Sequence, residues 1–144
     1  MKWLVDTNVL SDLRKGARAD RGVRRWFASV DGPDLFTSVL VLGEIRRGVE
    51  LIRRRDKVAA TALDQWLARL SEGFADRILR VDAAIADRWG ALNVPAPLPT
   101  VDGLLVATAM VHDLTFVTRN VRGLARTGVS LHDPFLAEGP KKRR

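Results

Sequence analysis

The sequence predicts an α/β fold, a three-layer α/β/α sandwich built on a parallel sheet. Two observations carry that reading. Short apolar runs, such as Trp3-Leu4-Val5 and Thr115-Phe116-Val117, recur between stretches with helical apolar spacing. Strands that alternate with helices pair in parallel through crossover connections. In addition, 144 residues, 47% of them hydrophobic, are one domain's worth of chain with enough apolar side chains for a true core.

In chain order, residues 2–5 read as a buried strand closed by Asp6. Asp6 or Thr7 then caps a helix to about Arg14, and Gly16 ends it. Val23, Trp26, Phe27 and Val30 mark a second helix over 20–30. Asp31-Gly32-Pro33-Asp34 is a turn, and Leu35-Phe36-Thr37 is the second strand. Ser38 caps the helix that carries Glu44 to about Arg54. Another amphipathic helix covers 56–74 through Val58, Leu63, Trp66, Leu67 and Leu70. Ile78, Leu79 and Val81 form the third strand, and Asp82 caps a helix over 83–92. Pro95, Pro97 and Pro99 hold an extended loop, since each disfavours helix in the residue before it. Thr100 caps a helix over 101–112; strands follow at 115–117 and 129–131, with a short helix near 121–124 between them. Residues 1–136 make up the domain, and 137–144 read as a frayed basic tail.

Composition narrows the function classes. There are no cysteines, so neither disulfides nor thiolate metal sites hold this fold, which suits a reducing cytoplasm. No apolar run approaches the roughly 20 residues that span a bilayer, and the N-terminus lacks the apolar core of a secretory signal. The net charge of +7 is clustered. Six basic residues lie between Arg14 and Arg25, six more between Arg46 and Lys57, and the chain ends Lys141-Lys142-Arg143-Arg144. Such patches fit a polyanion, although arginine-rich helices also serve simply as solvated faces.

The acids are more specific. Asp6, Glu44 and Asp102 each stand at the edge of an apolar run, and Asn120 ends a fourth run with an amide. A bare carboxylate in apolar surroundings is penalised by several kcal/mol unless something neutralises it. If the acids converge, the natural neutraliser is a hard divalent ion that prefers carboxylate oxygens and water, and the chemistry is phosphodiester cleavage. In open parallel sheets such sites form beyond the carboxyl ends of the strands, where Asp6 and Asn120 fall. Each residue also has a bland reading. Asp6, Asp102 and Asn120 suit helix ends, and Glu44 could pair with Arg47 on a helix surface. Thr7 and Asn8 can hydrogen-bond the carboxylate or a coordinated water, or Thr7 can be a cap. Gly103 leaves room for a ligand or another chain to approach. His112 and His132 show no ligand spacing and read as structural.

Taken together, four segments resemble the PIN-domain ribonucleases, and among them the VapC toxins of bacterial toxin–antitoxin pairs. They are Leu4-Val5-Asp6-Thr7-Asn8-Val9-Leu10, Leu42-Gly43-Glu44-Ile45-Arg46-Arg47-Gly48, the run from Leu98 through Asp102 to Ala109, and Leu114-Thr115-Phe116-Val117-Thr118-Arg119-Asn120-Val121. The resemblance implies a PIN-like, five-stranded, mainly parallel sheet and an Mg²⁺- or Mn²⁺-dependent endoribonuclease that leaves 5′-phosphate and 3′-hydroxyl ends. It implies a homodimer held by a cognate VapB-type antitoxin in a hetero-oligomer. The family's acidic roles fall on Asp6 and Asp102 as metal ligands, with Glu44 completing the pocket and holding or activating the water. Asn120 stands where PIN domains often carry a fourth acid, and Thr7, Asn8 and Thr118 support the site. Arg14, Lys15, Arg46, Arg47 and Arg53 would track the RNA backbone. The rival readings are a catalytically silent PIN domain that only binds RNA or protein, which Asn120 favours, and a receiver-like domain. The receiver lacks its paired acids and its lysine here.

Overall fold

The computed structural model describes residues 1–137; the remaining basic segment, 138–144, expected to be a frayed tail, lies outside the described residues. The first strand, β1 (Trp3–Val5), leads into helices α1 (Thr7–Leu13) and α2 (Arg21–Ser29), then β2 (Leu35–Ser38). Helices α3 (Val39–Arg53) and α4 (Lys57–Phe74) precede β3 (Ile78–Leu79), and α5 (Ala83–Leu92) and α6 (Thr100–Val111) precede β4 (Thr115–Val117). A short α7 (Val121–Leu124) joins β4 to β5 (Leu131–His132). All strand pairs are parallel, in the order β3-β2-β1-β4-β5.

Chain direction across the sheet reverses at β1. The first half runs outward from β1 to β3, and the second half restarts on the other side of β1 with β4. Right-handed crossovers therefore set α1–α4 against one face and α5–α7 against the other, in keeping with the α1–α3, α3–α4 and α5–α6 contacts. The three-layer expectation holds. Central β1 and β4 are registered Leu4 to Phe116 and Val5 to Val117, all four buried, as a sheet covered on both faces requires. The edge strands β3 and β5 are two residues each, which limits unpaired backbone at the sheet margins.

Several boundaries differ from the sequence reading. Val81 lies beyond β3, because pairing with Thr37 and Ser38 ends at Leu79. The last strand is shifted from 129–131 to Leu131–His132, the residues that lie beside Phe116 and Val117. Thr100 is the first residue of α6 rather than its cap. Pro99 takes the cap position in an extended conformation, and its carbonyl accepts from Gly103 N at 2.8 Å. Gly103 does not open the chain to a ligand. It is buried, and a Cβ there would sit 3.1 Å from Trp89 Cδ1 and 3.4 Å from Leu98 Cβ, so the missing side chain brings α6 close to α5. Helix α6 is buried from Leu105 through Ala109, which fixes the direction of its first turn.

Candidate active site

The point where strand order reverses is where a crevice opens at the carboxyl ends of a parallel sheet. Here it lies between β1 and β4, and the site is built around it. Asp6 follows β1 directly: its N–H donates to Val117 O at 3.0 Å, and its carboxylate caps α1 by accepting from Thr7 N at 2.7 Å. Thr118, the residue after β4, donates its hydroxyl to Asp6 Oδ2 at 2.7 Å. The same Thr118 oxygen accepts from Asn120 N at 3.2 Å. Asn8 adds a longer contact, Nδ2 to Asp6 Oδ2 at 3.4 Å, and its side-chain oxygen Oδ1 accepts from Arg119 N at 3.3 Å. The ends of the two central strands are thus stitched through one carboxylate.

Asp6 is only 5% exposed. Burial pushes its carboxyl pKa up to about 6, against the hydrogen bonds from Thr118 and Thr7, and the charges of Asp102 and Glu44 push the same way. The three acids line one open cleft of about 610 Å³ together with Thr7, Asn8, Arg47 and Val101. Glu44 reaches the cleft from the second turn of α3, which Ser38 caps. The surface pair with Arg47 does not form. Glu44 Oε1 instead accepts from the Thr7 hydroxyl at 2.6 Å, across a sequence separation of 37. Asp102 comes from the first turn of α6, and its Oδ2 accepts from Asn120 Nδ2 at 3.0 Å. Asn120 precedes α7 without capping it through its side chain; its amide is committed to Asp102. The expected residues Asp6, Thr7, Asn8, Glu44, Asp102, Thr118 and Asn120 therefore form one connected group.

Among the described residues, no three acids or histidines stand at the spacing of a closed metal cage. The donor set still fits a hard divalent ion. Mg²⁺ keeps several waters and takes one or two carboxylates rather than an all-protein shell. A carboxylate pushed up chiefly by burial, with two neighbouring acids adding to the rise, is the setting that such an ion relieves.

The basic residues divide. Arg47 lines the cleft. Arg46 and Arg53 close an ion-pair cluster with Glu50 and Asp64 that clamps α3 to α4, with Asp64 Oδ1 at 2.7 and 2.6 Å from the two guanidinium groups. Lys15 pairs with the buried Asp12 at 3.2 Å. Arg14 lies over the Trp66 ring at the rim of a separate apolar hollow of about 370 Å³, lined by Leu10, Leu13, Phe27 and Leu70. His132 packs at a tilt against both Trp3 and Trp26, and burial lowers its pKa, so it belongs to the packing. One contributor escaped the sequence reading. A Cβ at Gly123 would lie 2.8 Å from Asn120 Oδ1, so this glycine makes room for the amide that holds Asp102. The only trace in the sequence is a glycine inside a predicted helix, three residues after Asn120.

The comparisons agree with this architecture. Residues 3–129 match the PIN domain family. Toxin FitB of Neisseria gonorrhoeae is 30% identical over 139 residues, covering 92% of this chain and 97% of its own. The crystal structure of FitAcB from that organism aligns with a TM-score of 0.84 and 27% identity, over 92% of this chain and 98% of the other. Ribonuclease VapC14 of Mycobacterium tuberculosis is 35% identical over 81 residues, 56% of this chain and 71% of its own. A toxin–antitoxin complex from Klebsiella pneumoniae aligns with a TM-score of 0.64 and 25% identity, over 92% of this chain and 98% of the other. This chain belongs to the PIN domain family.

Proposed function

We propose that this PIN-domain protein is the toxin of a toxin–antitoxin pair, an endoribonuclease that uses Mg²⁺ or Mn²⁺ and is inhibited by a cognate VapB-type antitoxin. The observation that carries the reading is the meeting of Asp6, Glu44 and Asp102 on one cleft at the β1–β4 reversal, with Asp6 pushed up to about 6. Relatives named as a toxin and as a ribonuclease, and one solved within a toxin–antitoxin complex, support the biological side. A homodimer engaged by the antitoxin completes the proposed assembly.

Asp6 and Asp102 would hold the divalent ion, which would supply Lewis-acid polarisation of the phosphodiester and a lowered pKa for its water. The chain's own residues do the rest. Thr118 and Thr7 N fix the two oxygens of Asp6, and Asn120 turns Asp102 toward the same space. Thr7 holds Glu44 by one oxygen, in position to accept a proton from the attacking water. In-line attack of the water on phosphorus breaks the bond to the 3′ oxygen, which takes a proton from solvent, and leaves a 5′-phosphate and a 3′-hydroxyl.

A second reading, a silent PIN domain that binds without cutting, is favoured by Asn120, which brings an amide and no charge. Incubation of the chain with unstructured RNA separates the two. Cleavage with Mg²⁺ or Mn²⁺ that stops in EDTA and in the Asp6→Ala and Asp102→Asn variants is the expected result. RNA retained but never cut under any metal condition would establish the silent reading instead.

A further inference from the structure

Among the described residues of the basic sequence clusters, Arg47 alone lines the acidic cleft. It is one helical turn from Glu44 on α3 and lines the cleft with Asp6, Glu44 and Asp102. No ion pair, hydrogen bond or ring contact ties its side chain to any other described residue. That is unusual for a cation beside three acids, and the structure accounts for it. Glu44 is turned to Thr7, Asp102 to Asn120, and Asp6 to Thr118 and Thr7 N. The neighbouring arginines on α3 are consumed by Glu50 and Asp64. The cleft therefore presents one unspent guanidinium on the wall of an anionic floor.

We propose that Arg47 is a catalytic residue whose guanidinium grips the non-bridging oxygens of the phosphodiester to be cut. This rests on the nuclease reading above and assigns one arginine within it. The argument is one of charge placement. Carboxylates that bind a divalent ion repel the substrate's phosphate unless a cation faces it from another side. A planar guanidinium matches two phosphate oxygens at once, which an ammonium does not. Arg47 is the residue on this wall with that fork free. Arg46 and Arg53, in contrast, are engaged by Glu50 and Asp64 across α3 and α4.

The test uses the full chain and a short RNA that the parent protein cuts at one mapped bond. Arg47→Ala is expected to lower single-turnover cleavage by about 10- to 100-fold, the range for losing a hydrogen bond to a charged group. Arg47→Lys is expected to recover only part of it. Unfolding temperature in EDTA, and its rise with Mg²⁺, should stay at the parent values, because the Arg47 side chain bonds to no other described residue. A binding measurement adds the discriminating arm. A methylphosphonate at the scissile linkage removes the phosphate charge, and it should weaken binding more in the parent than in Arg47→Ala. If the parent cuts and Arg47→Ala cuts within about threefold of it, with equal methylphosphonate losses in both, the assignment is wrong and the nuclease reading stands. If the parent cuts nothing, both fall.

Discussion

Asparagine at position 6 should make the metal-free protein less stable in acid and more stable in base, and the swing follows from the burial of Asp6. The folded-state pKa of that carboxyl is about 6, against 3.8 for an unperturbed aspartate, with desolvation the largest cause. Because the folded value lies above the unfolded one, the group contributes stability that is complete below pH about 3.8 and lost as pH rises through about 6. A gap of roughly two pH units is worth about 3 kcal/mol. Asp6→Asn cannot ionise and so escapes that loss. It keeps one oxygen for two donors, Thr7 N and the Thr118 hydroxyl, which costs about 1 kcal/mol. The variant should therefore be less stable than the parent by about 0.5 kcal/mol at pH 4, where the unfolded carboxyl is already partly ionised, and more stable by about 2 kcal/mol at pH 8. Urea unfolding in EDTA at pH 4, 6 and 8 measures the difference, and titrations common to both proteins cancel. A gap that stays constant across that range would refute the burial argument. Saturating Mg²⁺ at pH 8 should reverse the order by stabilising the parent alone.

Two further substitutions probe the scaffold of the same carboxylates. Thr118→Val removes the hydroxyl that holds Asp6 Oδ2, so the Asp6 pKa rises further and the pH–rate profile at fixed Mg²⁺ moves to higher pH; an unmoved profile contradicts that role. Gly123→Ala places a Cβ at 2.8 Å from Asn120 Oδ1 and turns the amide away from Asp102. Cleavage should fall about tenfold, as for a lost hydrogen bond to a charged group, while the unfolding temperature holds or rises because alanine is the better helix former.

The parts of the site that show in the sequence are those with a local signature. Asp6, Glu44 and Asp102 stand out because each acid interrupts or borders an apolar run, and the alternation of strands and helices brings those borders to one edge. Helix starts at Asp20, Ser38, Asp56 and Asp82 were equally legible, since a capping side chain acts within three residues of itself. What depends on tertiary packing was not. Nothing near Gly103 in the chain announces that its missing Cβ accommodates Trp89, fourteen positions back on another helix. The fate of Arg46 and Arg53 hangs on Asp64, which only the α3–α4 hairpin brings alongside. The choice of Glu44 between Arg47 and Thr7 is likewise settled across a gap of 37 residues. No helix among the described residues is long and apolar enough to cross a membrane, as the sequence indicated.

The central claim is that one divalent ion is shared by Asp6, just past β1, and Asp102 on α6. A crystal soaked in Mn²⁺ tests it directly through the anomalous signal of the metal. The account predicts a single strong peak in the cleft, about 2.1 Å from oxygens of Asp6 and Asp102, with Glu44 facing it and Asn120 still on Asp102. Saturating Mn²⁺ with no peak there, or a peak held by other residues, would contradict it.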